Sequence, residues 1–160
     1  MQLNLIDTNQ HEHKVTLSDD GELSGRHQSV QLTPELLQSW ALQHRQDEVT
    51  LDQSKGKFYA NALATQLAEA LGWTLPAKHV IYGQFTQRGF DATTGVVAVD
   101  VSRLATEFVF TTRLKDSHTS LAANIPVDQV AAATGELFAI QFSPLLRIAL
   151  PVAELQAIVH

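Results

Sequence analysis

Cysteine is absent from the 160 residues of this chain. That absence excludes disulfides, thiolate zinc sites, iron–sulfur clusters and cysteine nucleophiles. Basic residues are also scarce, since 11 Lys and Arg stand against 17 Asp and Glu and give a net charge of −6. Binding to nucleic acid or to an anionic membrane needs clustered Lys and Arg. The basic residues here are scattered along the chain, so we expect neither kind of partner.

Long hydrophobic runs are missing as well. No apolar stretch approaches the ~20 residues that span a bilayer. The first ten residues, MQLNLIDTNQ, lack the basic region and apolar run of a signal peptide. We therefore expect a soluble, cytoplasmic protein. Because no linker, low-complexity segment or charge run divides the 160 residues, one domain is predicted over residues 1–160.

Two principal helices are predicted, at about 57–71 and 33–45. The first places its apolar residues at three- and four-residue steps, on one helical face. Those residues are Ala60, Leu63, Ala64, Leu67, Ala70 and Leu71. Gly72 follows, where a left-handed cap is favoured, and Thr33 and Pro34 suit the start of the second helix. Prolines also introduce two shorter helices, which we predict near 126–134 and 151–159.

Strands are predicted through most of the remaining chain. Asp19-Asp20-Gly21 is typical of a hairpin turn. The second half is rich in β-branched and aromatic residues. Its predicted strands cover residues 79–86, 95–102, 106–114 and 137–142. Because strands are grouped and do not alternate regularly with helices, the sequence predicts an α+β fold, with a mainly antiparallel sheet of about six to eight strands packed against the two principal helices.

His11 and His13 are candidate metal ligands. They stand two residues apart, which places both imidazoles on the same face of a strand, and imidazole binds zinc, nickel or copper. Two histidines are fewer ligands than a stable site needs, and His27 is a further candidate across the hairpin. A solvated strand or loop is the other interpretation of this segment.

Asp100 is a second candidate for chemistry. It interrupts an apolar run inside a predicted strand, where a carboxylate must pair or reach water. Arg103, Glu107 and Arg113 are close enough in sequence to be its partners across a hairpin. Asp100 is thus half of a salt bridge, part of a strand with one solvent-exposed face, or a catalytic carboxylate.

Trp40, Trp73, Arg88 and Phe90 are the candidate binding residues. Trp40 lies on the predicted helix at 33–45 and Trp73 follows the helix at 57–71, so both are expected in the core. Either becomes an interface anchor if it is exposed. Arg88 and Phe90 lie beside a glycine in a predicted loop, which is a candidate contact tip as well as an ordinary hairpin connection.

No recognisable motif fixes a chemistry. Gly-x-Ser-x-Gly turns, Walker loops and Gly-x-Gly-x-x-Gly segments are all missing, and the sequence assigns no catalytic residue, metal or cofactor. The leading hypothesis is a non-enzymatic binding or accessory protein that contacts a protein partner or its own copy, because strand-rich domains present sheet edges. The alternative is a small-molecule or metal-dependent enzyme that uses His11 and His13, or Asp100. A further alternative, an acidic inhibitor that mimics nucleic acid, requires carboxylates spaced along one face.

Overall fold

The computed structural model describes residues 1–25, 29–51, 56–114 and 117–160. Within them are twelve strands in antiparallel sheets and four helices, which confirms the predicted α+β class and its two principal helices. The chain divides into two compact units, residues 1–75 and 76–160. Each unit has a hydrophobic core of its own, and the single domain expected over residues 1–160 stays a prediction. None of the described helices combines the length and the apolar content that crossing a bilayer requires.

The first unit contains a four-stranded sheet, a two-stranded ribbon and the two longer helices. The sheet has the strand order β1 (Gln2–Ile6), β2 (Glu12–Leu17), β3 (Glu22–Ser24) and β4 (Ser29–Gln31). The helices are α1 (Pro34–Ala41) and α2 (Ala60–Leu71), and the ribbon consists of β5 (Glu48–Thr50) and β6 (Lys57–Tyr59). Leucines from α2 and from the four-stranded sheet share the core of this unit.

The ends of the two helices follow local chemistry. The Thr33 hydroxyl accepts a hydrogen bond from the Leu36 N–H at 3.1 Å and caps α1. Gly72, with φ of 73°, ends α2 in the left-handed conformation that the sequence predicts. The predicted boundaries were too wide in two places. Helix α1 already ends at Ala41, and residues 57–59 are a strand because they pair with β5 and precede α2.

The second unit is a six-stranded antiparallel sheet with two short helices. Its strand order is β10 (Leu121–Pro126), β9 (Glu107–Thr112), β8 (Thr93–Arg103), β7 (Lys78–Gln87), β12 (Leu146–Pro151) and β11 (Leu137–Ser143). Helices α3 (Val127–Ala131) and α4 (Val152–Gln156) each follow a proline, as the sequence predicts, although both are shorter than expected.

The register of these strands gives the sheet two faces. Residues directly opposite each other on antiparallel strands project to the same side. One such pair, Ile81 and Val99, lies on the inner face, which is buried against α3 and α4. The next pair, Tyr82 and Ala98, lies on the opposite side, the outer face.

Strand β7 pairs with β8 along its whole length and with β12 over residues 84–87. Gly83 permits a close approach between β7 and β12. A Cβ atom at Gly83 would lie 2.5 Å from Leu150 Cδ2 and 2.8 Å from the Ala149 carbonyl oxygen. Since the carbonyl belongs to the backbone, a side chain here would push the two strands apart.

Gly83→Ala is therefore expected to lower the free energy of unfolding by about 1–3 kcal/mol, the usual cost of overpacking. Urea titration followed by far-ultraviolet circular dichroism measures this change. Gly89→Ala is the matched control, because a Cβ atom at Gly89 has no neighbour within 4 Å. That variant should stay within about 0.5 kcal/mol of the wild type. Equal losses in both variants would contradict the close approach of β7 and β12.

Candidate functional site

The outer face of the six-stranded sheet carries an exposed apolar patch. Its large members are Val80, Tyr82, Val96 and Leu137, which are 46%, 64%, 69% and 51% exposed. Large apolar side chains in the second unit's core are at most 8% exposed. The patch is therefore a group of side chains of core type that lie on the surface.

Strand register brings the members of this patch together. Tyr82 lies opposite Ala98, and Gln84 lies opposite both Val96 and Ala149. Ala149 lies in turn opposite Ala139 on β11. The small Ala98 side chain opposite Tyr82 covers little of its ring, which is 64% exposed. Four strands at ~4.8 Å spacing and two to three rows of side chains make a patch of about 300 Å², a size that is often functional on a monomer.

A groove continues the outer face at the end where the β7–β8 and β11–β12 hairpins turn. We name it the tip groove; its volume is about 270 Å³. It is lined by Thr86, Arg88, Gln141, Pro144, Leu145 and Arg147. The Arg88 N–H donates a hydrogen bond to the Leu145 carbonyl oxygen at 2.8 Å, which joins the two hairpin tips. The backbone thus fixes the position of this groove.

The tip groove is positively charged. Arg147 lies opposite Thr86 on one neighbouring strand and Gln141 on the other, so its immediate cross-strand neighbours are neutral. Among the described residues, neither the Arg88 nor the Arg147 guanidinium has a carboxylate within ion-pair distance. Both arginines are exposed, and an acidic group that entered the groove would meet two guanidinium groups.

The sequence-predicted binding residues are distributed over both units. Arg88 lines the tip groove, and Phe90 is fully exposed farther along the same loop. Trp40 is only 8% exposed and belongs to the core of the first unit. Trp73 is half-buried against that core. Arg88 and Phe90 thus share one loop of the second unit, and the two tryptophans belong to the first unit.

Sequence reasoning missed Tyr82, Val96, Leu137 and Arg147. A usable signal is present in HVIYGQFT and GVVAVDVS, where apolar residues stand at both odd and even positions and therefore on both sides of the strand. A strand that is apolar on both sides either is buried on both faces or presents an apolar surface. Arg147 gives no such signal, because only the register of β12 with β7 brings it near Arg88.

Asp100 is a buried, paired carboxylate. It lies on the outer face, with its Oδ2 atom 4.0 Å from the Nζ atom of Lys78. Thr111 lies opposite on β9, and its buried hydroxyl has no hydrogen-bond partner within the part of the chain that the structure describes. The Arg103 guanidinium is directed elsewhere and donates to the Val159 carbonyl oxygen at 2.7 Å. The salt-bridge interpretation of Asp100 therefore fits, with Lys78 as the partner, and a catalytic role stays a prediction.

His11 and His13 both face Asp7, a residue that sequence reasoning did not single out. The Nε2 atom of His13 is 2.8 Å from the Oδ2 atom of Asp7, and the Nδ1 atom of His11 is 3.9 Å from the same oxygen. The proposed third ligand, His27, lies outside the described residues. Across those that are described, no three His, Cys, Asp or Glu side chains are grouped as a metal site would require.

Asp7 instead organises the turn between β1 and β2. Its Oδ1 atom accepts hydrogen bonds from the backbone N–H groups of Asn9 and His11, both at 2.9 Å. The hydrogen bond from His13, followed by that from the His11 N–H, holds the pKa of Asp7 below its ordinary value. The His13 ring also packs edge-on against Phe58, with 5.2 Å between ring centroids. The His13 side chain thus connects the turn to β6.

We expect Asp7→Asn to destabilise the protein at neutral pH, because an asparagine cannot supply the charged acceptor. Since the pKa of Asp7 is lowered in the folded state, its stabilising effect is complete above about pH 4 and is lost as the pH falls through the lowered pKa. Thermal unfolding between pH 7 and pH 2 should therefore show the two proteins converging at the acid end. Asp91→Asn, at an exposed position, is the control and should follow the wild type. A constant difference across the whole pH range would contradict this account.

Comparison with known proteins finds no matching family model, no matching curated protein and no matching solved structure. The outer face and the tip groove are therefore the features of this chain from which a function can be inferred.

Proposed function

We propose that this chain is a non-enzymatic binding protein that holds a protein partner on the outer face of its six-stranded sheet. The observation that carries the proposal is the exposure of Val80, Tyr82, Val96 and Leu137 on one continuous face. The largest apolar patch on a typical monomer covers about 300–600 Å² and is often functional. Tyrosine is also among the residues that most often dominate interface energetics.

A short segment of a partner fits the size of this patch better than a second copy of the chain does. A stable interface buries roughly 800 Å² on each partner, whereas the patch covers about 300 Å². The exposed Phe90 and Leu145 side chains at the hairpin tips add apolar contacts at one end. We place this binding protein in the cytoplasm, as its composition suggests.

The two alternative functions receive less support. An enzyme would be built on Asp100 or on the two histidines. Asp100 is only 1% exposed beside Lys78, so a substrate has little access to it. His13 bonds to Asp7, whose carboxylate also holds the backbone of the turn between β1 and β2. A nucleic-acid mimic would need carboxylates spaced along one face. The outer face instead combines apolar side chains with arginines.

The proposal predicts that Tyr82 is central to partner binding. Partners are recovered by affinity purification of the chain from its own cells, and each one is then purified and titrated against wild-type and variant chains. Tyr82→Ala should raise the dissociation constant of a genuine partner by about 30-fold or more, as truncation of a hot-spot residue does. Val96→Ser should raise it as well.

Glu69→Ala, on the exposed side of α2 in the first unit, is the matched control and should leave the dissociation constant unchanged. Circular dichroism spectra should be the same for all variants, since Tyr82 and Val96 are exposed. Unchanged affinity in Tyr82→Ala for every partner recovered would exclude the outer face as the binding surface. A measured catalytic turnover that survives both substitutions would favour the enzyme alternative.

A further inference from the structure

We infer that the tip groove is a carboxylate-binding subsite, so that the segment held on the outer face carries Asp or Glu side chains between apolar ones. This inference rests on the proposed function and specifies the chemistry of the partner. It follows from the position of two arginines, from the neutrality of their surroundings and from the apolar groups on either side of them.

The two arginines lie at the end of the apolar patch. Arg147 is two residues before Ala149 on β12, and Thr86 is two residues after Gln84 on β7. Two residues of a strand span about 6.6–6.8 Å. Consider an extended segment whose apolar side chain lies on the patch. The residue one or two positions farther along that segment would then lie at the guanidinium groups.

Charge complementarity selects an acidic segment. Arginine binds carboxylates through a planar fork of N–H donors. Within the described part of the chain, no carboxylate occupies that role for Arg88 or Arg147. The one carboxylate in the loop itself, Asp91, is exposed and outside ion-pair distance of both arginines.

The exposed apolar side chains of the hairpin tips favour acidic side chains over a chain terminus. Leu145 lines the groove and is 53% exposed, and Phe90, two residues after Arg88 in the same loop, is fully exposed. A segment that ended in the groove would leave Phe90 without a contact. A segment that continues past the arginines meets apolar side chains on both sides of its acidic residues.

Because both arginines are exposed, we expect each one to contribute modestly to the affinity for the segment. Their charge should matter more for which segments are bound. A solvent-exposed ion pair contributes about two- to fivefold in a dissociation constant, and this contribution falls as salt screens the charges. A segment with Lys or Arg at these positions would place like charges beside the two arginines, and the repulsion disfavours its binding.

The test is a selection from phage-displayed random dodecamer peptides on the immobilised full chain. Peptides selected by the wild type should contain Asp or Glu flanked by apolar residues. The double variant Arg88→Glu/Arg147→Glu should lose this acidic preference and select Lys or Arg at the same positions. Lys14→Glu/Lys57→Glu changes the net charge equally at exposed positions of the first unit and should select the same peptides as the wild type.

A selected peptide is then titrated by fluorescence anisotropy in low and high salt. Its dissociation constant should rise severalfold with salt for the wild type and much less for Arg88→Gln/Arg147→Gln, which retains polar side chains without the charges. Selected peptides that are apolar and lack acidic residues, and that need Tyr82, would overturn the carboxylate subsite while leaving the binding function in place. Failure to select any peptide that needs Tyr82, or a concentration-dependent dimer that needs it, would overturn the inference and the partner-segment proposal together.

Discussion

The pairing of β7 with β8 on one side and β12 on the other is the constraint on which the second unit depends. This pairing fixes which residues of β7 face the inner core and which face outwards. Ile81 enters the core with Ile148 and Leu150, while Tyr82 is directed to the opposite side. A register slip of one residue would exchange the two faces. Close approach at Gly83 helps to fix the register, because only a residue without a side chain fits there.

Both faces of this sheet are rich in apolar residues, but only one is covered by helices of the unit. Exposing Tyr82 and Val96 to water costs stability that burial would otherwise provide. The second property of the outer face is positive charge. Arg88 and Arg147 come from different hairpins and line the same groove, and the backbone hydrogen bond from Arg88 to Leu145 joins the two hairpin tips. A surface with apolar and charged parts next to each other can select one partner segment over others. Because its members lie on paired strands, the sheet sets their backbone positions, which lowers the ordering cost of binding.

The features that sequence predicts well here are those that depend on neighbouring residues. Helix α2 follows from the spacing of its leucines and ends at Gly72, and the loop with Arg88 and Phe90 is visible as a candidate contact tip. The start of α2 was misplaced because pairing between β5 and β6 depends on residues that are distant in sequence. Arg147 was missed for the same reason, since nothing local to β12 places it opposite Thr86. Asp7 was missed because its partners are backbone N–H groups and a histidine already interpreted as a metal ligand.

The central claim is that the outer face is the surface through which this protein acts. Methyl NMR spectroscopy of the full chain, titrated with a peptide that contains acidic residues between apolar ones, tests it most directly. We predict chemical-shift changes at Val80, Val96 and Leu137, with unchanged signals from Leu63 and Leu67 in the core of the first unit. Unchanged signals from the three outer-face residues, together with shifts at other sites, would contradict the claim.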